Sequence, residues 1–364
     1  MTKIKELISV FEKLVPLSYQ ESWDNSGLLV GDNKNEITSV LLTVDVTEKV
    51  VDEAISKNAN FIVAHHPLIF KGLKSLTGRN DVERSVIKAI KHDIAIYAMH
   101  TNLDVFDKGV SYKMAERLAL QNIKTLDIAP HHLQKLVVFV PKSHEEKVRS
   151  AILNAGAGHI GTYDQCSYNS EGKGTYRPLE GSRPFLGKLN EIHTEVEIRI
   201  ETIFPAHLKN EILQSLKKVH PYEEIAYDIY TLDQKDSNIG LGKIGELGKP
   251  IDEKQLLELL KQQFGLQNLR HSPLLGKKIK KIAVCGGSCS FLIQKAKRKA
   301  DVFITADVKY HEFFEAENDL LIIDIGHFES EQYSKDIFYD IISKKFSNFA
   351  VHFSEINTNP INYL

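Results

Sequence analysis

Cysteine is scarce in this 364-residue chain, with only Cys166, Cys285 and Cys289 present, too few for a disulfide framework. Cys285 and Cys289 bracket Gly286-Gly287-Ser288 without visible metal or redox partners, so both are expected to be small buried packing residues. No apolar run approaches the ~20 residues of a membrane span. A signal-peptide core is also missing, since Met1 to Leu14 reads as an amphipathic helix, and a cytoplasmic location is expected. Neither sign of charge is in excess: 46 basic against 48 acidic residues leave a net charge of −2. That balance gives no electrostatic case for a nucleic-acid or membrane partner. The densest basic stretch, Lys277-Lys278-Ile279-Lys280-Lys281, reads as a solvated loop before a strand. What remains is the composition of a soluble globular protein, 42% hydrophobic and 26% charged, long enough for two or more domains.

Within that ordinary background, His65-His66 closes the apolar run Phe61-Ile62-Val63-Ala64 and is followed at once by Pro67. Four apolar residues predict a buried strand, and the proline stops it, so both imidazoles sit at a strand's carboxyl end. In an open α/β sheet that edge is where ligands bind. Alone, two adjacent histidines are better explained as surface or capping residues. Other segments reach the same edge. Ile94 to Met99 ends in His100-Thr101-Asn102-Leu103-Asp104, and Leu320 to Ile325 ends in Gly326-His327-Phe328-Glu329-Ser330-Glu331. If Ser330 and Glu331 open the helix that follows, His327 and Glu331 are four apart and converge. His65, His66, Asp104, His327 and Glu331 make a mixed nitrogen and oxygen set that suits Zn, Mn or Fe better than Ca or Mg. Five ligands exceed the three of a usual catalytic zinc site, which points to two divalent ions per chain sharing a carboxylate. His100, and His311 after the strand Val302 to Thr305, are candidates for proton transfer or for orienting the ligands.

Strand and helix alternate in two stretches. Val40 to Val46, Phe61 to Ala64 and Ile94 to Met99 are expected strands in the first, with helices at Glu48 to Lys57, Val82 to His92 and Val110 to Leu120. In the second, Ile282 to Cys285, Val302 to Thr305, Leu320 to Ile325 and Ala350 to Phe353 are strands, with helices at Phe291 to Lys299, Glu312 to Ala316 and Ser330 to Lys345. The middle reads strand (Leu136 to Val140), helix, strand (Tyr163 to Tyr168), a glycine-rich excursion through Gly172, Gly174, Gly181 and Gly187, strand (Val196 to Ile203), helix, strand (Ile225 to Leu232). That βαββαβ order predicts a ferredoxin-like plait. The fold class is therefore α/β: two pseudo-related halves, residues 1–126 and 239–364, forming one metal-binding body, with an α+β domain inserted at 127–238. Two smaller motifs have bland readings, Ser22-Trp23-Asp24-Asn25-Ser26-Gly27 as a capped turn anchored by Trp23 and Gly286-Gly287-Ser288 as either an anion-facing turn or loop geometry.

Taken together, Ser22 to Leu28, Ala64-His65-His66-Pro67, His100-Thr101-Asn102-Leu103-Asp104, Cys285 to Ser288 and Gly326 to Glu331 resemble the GTP cyclohydrolase 1 type 2 family, also called Nif-three-like. The resemblance runs in order through both halves. It implies a dinuclear metal site at the five ligands already named, a toroidal homohexamer, and, for some members, a PII-like insert such as Gln134 to Leu232 resembles. The family motif often has Gly where Cys289 stands, which weakens an anion-binding role for that turn. Two functions follow as expectations. One is a metal-dependent hydrolase activating water on a nucleotide or phosphoester, although no P-loop or strong guanine-reading motif is visible. The other is a metal-binding oligomeric scaffold or regulator whose insert senses a ligand.

Overall fold

Strands form where β-branched and aromatic residues run together, and the computed structural model places fifteen of them among the residues it describes, 2–130 and 132–364. Met1, in the expected first helix, and His131, in the expected insert, lie outside the described residues. In chain order the strands are β1 (Gly27–Val30), β2 (Ser39–Thr43), β3 (Phe61–Ala64), β4 (Ala95–Ala98), β5 (Gln121–Ile128), β6 (Leu133–Pro141), β7 (Tyr168–Tyr176) and β8 (His193–Pro205). Then follow β9 (Tyr227–Thr231), β10 (Gly240–Asp252), β11 (Arg270–His271), β12 (Lys278–Ser288), β13 (Val302–Ala306), β14 (Leu321–Asp324) and β15 (Ala350–Phe353). Two compact units result, one of residues 1–128 with 237–364 and one of residues 129–236.

The first unit is a mixed α/β body with two sheets. One has the order β1-β4-β3-β2-β15 and the other β11-β14-β13-β12-β10-β5. Their central strands are parallel and, as parallel sheets covered on both faces require, apolar apart from Thr305 and Asp324 near their carboxyl ends: all of β3, β4, β13 and β14 is buried. Complete burial of one Ile or Val stabilises the fold by roughly 1.5–3 kcal/mol. These strands thus offset the cost of placing polar residues at their ends. No described helix is long and apolar enough to cross a membrane.

The sheets do not coincide with the two sequence halves. β15 pairs parallel to β2, Ala350 opposite Ser39, and so belongs to the sheet of the first stretch. β5 pairs antiparallel to β10 and joins the sheet of the second. Neither partnership leaves a local mark in the sequence, because register between strands so far apart is set by tertiary packing. Lys278 to Lys281 lie within β12, not in a loop before it.

The 129–236 unit is a four-stranded antiparallel sheet of order β7-β8-β6-β9, with helices Glu145–Asn154 and Lys209–Val219 packed together and Val138, Val140, Ile198 and Ile200 in its core. Its second strand lies at 168–176, later than the expected 163–168. It runs through Gly172 and Gly174, where nine register pairs with β8 outweigh the poor strand propensity of glycine.

Candidate metal centre

The histidine pair is fixed by backbone before any side chain acts. Beyond the end of β3, where the chain bends, the His65 and His66 N–H groups both donate to the Val44 carbonyl, at 3.1 and 2.9 Å. Asp104 sits on the short helix Thr101–Val105 after β4. His327 and Glu331 occupy the helical turn His327–Glu331 after β14, so both ligands lie inside this turn, which ends before the longer helix Ser334–Ser343 begins. The i, i+4 geometry brings Glu331 Oε2 to 3.0 Å from His327 Nε2.

All five residues converge. Glu331 Oε2 is also 2.9 Å from His66 Nε2 and 3.6 Å from His65 Nε2. His65 Nε2 stands 3.7 Å from Asp104 Oδ1, and His66 Nε2 stands 3.4 Å from His327 Nε2. His65, His66 and Glu331 form a group able to hold a metal ion. Two of the facing atoms, His65 Nε2 and Asp104 Oδ1, are buried without a hydrogen-bond partner, and the buried Glu331 Oε2 is surrounded by imidazole nitrogens at 2.9, 3.0 and 3.6 Å. Native proteins seldom leave such atoms unmatched, and a nitrogen and two carboxylate oxygens aimed at one point are what a divalent cation requires. The donor set fits a metal.

Each ring is turned by its other nitrogen. His65 Nδ1 lies 2.8 Å from the Met99 carbonyl, which can only accept, so Nδ1 carries a proton and Nε2 is the nitrogen turned inward. His66 Nδ1 donates to Asp45 at 2.7 Å, and His327 Nδ1 donates to Asp307 at 2.6 Å. Such carboxylate partners fix the ring and raise its basicity. Asp45 is held in turn by Thr358 Oγ1 at 2.7 Å. Asp45 and Asp307 escape sequence reading because each is a lone acidic residue after a strand, about twenty positions from its histidine.

Packed this closely, the ligands disturb one another in the metal-free protein. Burial opposes charge on His66, but hydrogen bonds to Asp45 and Glu331 outweigh it and push its pKa up to about 10. Burial also opposes charge on His327, and Glu331 and Asp307 carry it up to about 9. Burial, then the charge of Glu331, raises Asp104 to about 7. Glu331 resists its own burial because His65, His327 and His66 hold it well below the usual carboxylate range. Protons on imidazoles are doing there what a cation would do.

His100 is beside this cluster, its ring centroid 5.5 Å from that of His65 and 5.4 Å from that of His66. It donates from Nδ1 to Asp24 at 2.7 Å, and Asp24 also accepts from Thr101 Oγ1 at 2.6 Å and Ser26 Oγ at 3.0 Å. The capped turn around Trp23 is therefore the support of His100. His311 is not brought here. It is exposed, with its ring against Tyr310 and Phe314. Asp307, in a left-handed conformation with φ of 54°, ends β13 and takes the place beside the cluster, which corrects the expectation for His311.

A cavity of about 590 Å³ opens over the cluster, with Trp23, Phe70 and Phe291 exposed at its wall and Gly286 to Cys289 along one side. At Gly287, φ is +68° and an added Cβ would collide with Glu331 Oε1, so close approach and backbone both demand glycine. Cys285 and Cys289 are buried as expected, with their sulfur atoms side by side.

Asp45→Asn and Asp307→Asn should each weaken metal binding by roughly 10–100-fold while leaving all five ligands in place. Chelator competition measures this, and unchanged affinity in both would mean the carboxylates do not tune the rings.

The sequence profile of Duf34/NIF3 (NGG1p interacting factor 3) matches residues 2–360. A Bacillus subtilis protein named GTP cyclohydrolase 1 type 2 homolog is 40% identical, the match covering 99% of this chain and 98% of its own. A protein of the same name from Halalkalibacterium halodurans is 40% identical, with 98% of each covered. Among solved structures, a Bacillus cereus protein related to NIF3 superposes with a TM-score of 0.86 at 40% identity, over 100% of this chain and 99% of its own. A Staphylococcus aureus protein gives 0.78 at 33% identity, over 100% and 99%.

Proposed function

The chain belongs to the Duf34/NIF3 family, and from that premise we propose that it is a metal-dependent hydrolase holding two divalent ions, Zn, Mn or Fe, and acting on a nucleotide or phosphoester. The observation that carries this reading is the set of buried atoms His65 Nε2, Asp104 Oδ1 and Glu331 Oε2 facing one another, the first two without a hydrogen-bond partner. His65 with Asp104 would hold one ion, His66 with His327 the other, and Glu331 would serve both. When bound, such ions lower the pKa of water and polarise an electrophile.

The chain's own residues supply the rest. His100 keeps Nδ1 on Asp24, which leaves Nε2 to take or return a proton at the cavity. Trp23 and Phe70, with ring centroids 5.8 Å apart, offer faces to the planar part of a substrate. The relatives' name makes GTP the first nucleotide to try, with water adding at the purine ring carbon that leaves as formate. The wider reading is a cytoplasmic homohexamer whose body descends from two related α/β halves and whose 129–236 unit is a PII-like insert.

The test is to load the purified protein with Mn, Fe or Zn and assay GTP, other nucleotides and phosphodiesters beside a His66→Ala, Glu331→Ala double variant. Turnover should require metal and fall at least ~100-fold in the variant. Equal product from both proteins, or none across the panel, would leave a metal-binding scaffold or regulator instead. Metal analysis should give two ions per chain, and one or none in saturated protein would end the dinuclear assignment.

A further inference from the structure

The 129–236 unit contains a second cavity, of about 600 Å³, to which the metal chemistry assigns no role. Small-molecule sites typically occupy ~300–1,000 Å³ and combine apolar walls with a few convergent polar groups. Strand register builds the floor. Phe139 on β6 and Ser170 on β7 both stand opposite Arg199 on β8, and Gly172 stands opposite Glu197. These residues share the sheet face away from Ile198 and Ile200, which point into the core. Tyr176, Phe185 and Tyr222 form an aromatic wall, with Tyr222 ring centroids 5.9 Å from Tyr176 and 6.4 Å from Phe185.

One polar group on this floor is conspicuously under-used. Glu197 is only 9% exposed and, among the described residues, takes one hydrogen bond, from the Tyr222 hydroxyl at 3.0 Å to Oε1. Its Oε2 lies over Gly174, where any Cβ would overlap the oxygen. A carboxylate offers about four acceptor positions, and Glu197 lines the cavity, so its remaining positions are open to a ligand. Gly172, with nothing within 4 Å of where its Cβ would stand, leaves the adjoining floor open.

The geometry points to this cavity as a binding site for a guanine base, seated against Tyr176, Phe185 and Tyr222 with its paired N–H donors on Glu197. Guanine carries a ring N–H and an exocyclic amino group on one edge, matched to a carboxylate, and its faces stack on aromatic side chains. Adenine presents a ring acceptor there and is repelled. Arg177 at the lining extends the site toward a phosphate, so guanosine and GTP share the base contact and differ only in that extension.

Calorimetry on the full-length His66→Ala, Glu331→Ala variant tests this without any contribution from the metal centre. Guanosine should bind there, Glu197→Gln should weaken it at least ~10-fold, and adenosine should bind at least ~10-fold more weakly than guanosine. Phe185 is half exposed on a loop, so Phe185→Ala preserves the fold and should weaken binding several-fold. GTP binding tighter than guanosine would add Arg177 to the site. No guanosine binding at millimolar concentration, equal binding of adenosine, or unchanged affinity in Glu197→Gln and Phe185→Ala would overturn the assignment. The hydrolase reading would survive each of those failures, because the tested variant already lacks that centre.

Discussion

Glu331→Gln should strip the protein of metal, weakening affinity by more than ~100-fold, because losing a supporting carboxylate alone costs ~10–100-fold. Glu331 differs from every other ligand in that one of its oxygens lies within 3.6 Å of three imidazole nitrogens. Glutamine keeps the shape but removes the charge that holds those nitrogens together. The damage extends to the metal-free state. His66 and His327 would lose the counter-charge that keeps them protonated, and removing one partner of a buried pair costs roughly 3–5 kcal/mol. Metal content after dialysis and melting of the chelated protein read the two effects separately. A variant that retains metal with wild-type affinity would mean Glu331 is not a ligand.

Metal uptake should release protons at pH 7, and affinity should climb steeply to about pH 9. In the metal-free protein His66 stays protonated up to about pH 10 and His327 up to about 9, and Asp104 is part-protonated near 7. A cation must displace those protons, and affinity rises roughly tenfold per pH unit for each one displaced. Metal-free stability runs the opposite way. The raised pKa of His66 contributes stability that is complete below its ordinary value of 6.5 and is lost as pH rises to about 10. The depressed pKa of Glu331 contributes stability that is present above 4.5 and is lost as pH falls below it. Calorimetry in buffers of different ionisation enthalpy counts the protons. A count of zero at pH 7, with affinity flat to pH 9, would contradict the assigned protonation.

These effects rest on residues that the sequence displays unequally. His65 and His66 are legible because a strand buried on both faces writes itself as four apolar residues and a proline ends it. His327 and Glu331 are legible by their four-residue interval. Asp45, Asp24 and Asp307 are not, since an acidic side chain after a strand looks the same whether it holds a histidine or faces water. The course of the chain at Asp307 depends on one positive φ, which no pattern announces, and His311 was expected at the cluster for that reason. β5 and β10 went unread because their pairing supplies the order that their mixed, glycine-bearing sequences do not. The 129–236 plait was easier, its strands and helices being neighbours along the chain, apart from β7 and its glycines.

The pairing of Ala350 with Ser39 also sets an order of events in time. The sheet that carries His65, His66 and Asp104 lacks its edge strand until residues more than 300 positions later have been made. His327 and Glu331 arrive only shortly before that strand. A chain still being synthesised therefore holds three of the five candidate ligands on an unfinished sheet, and a site that needs all five is complete only in the finished polypeptide.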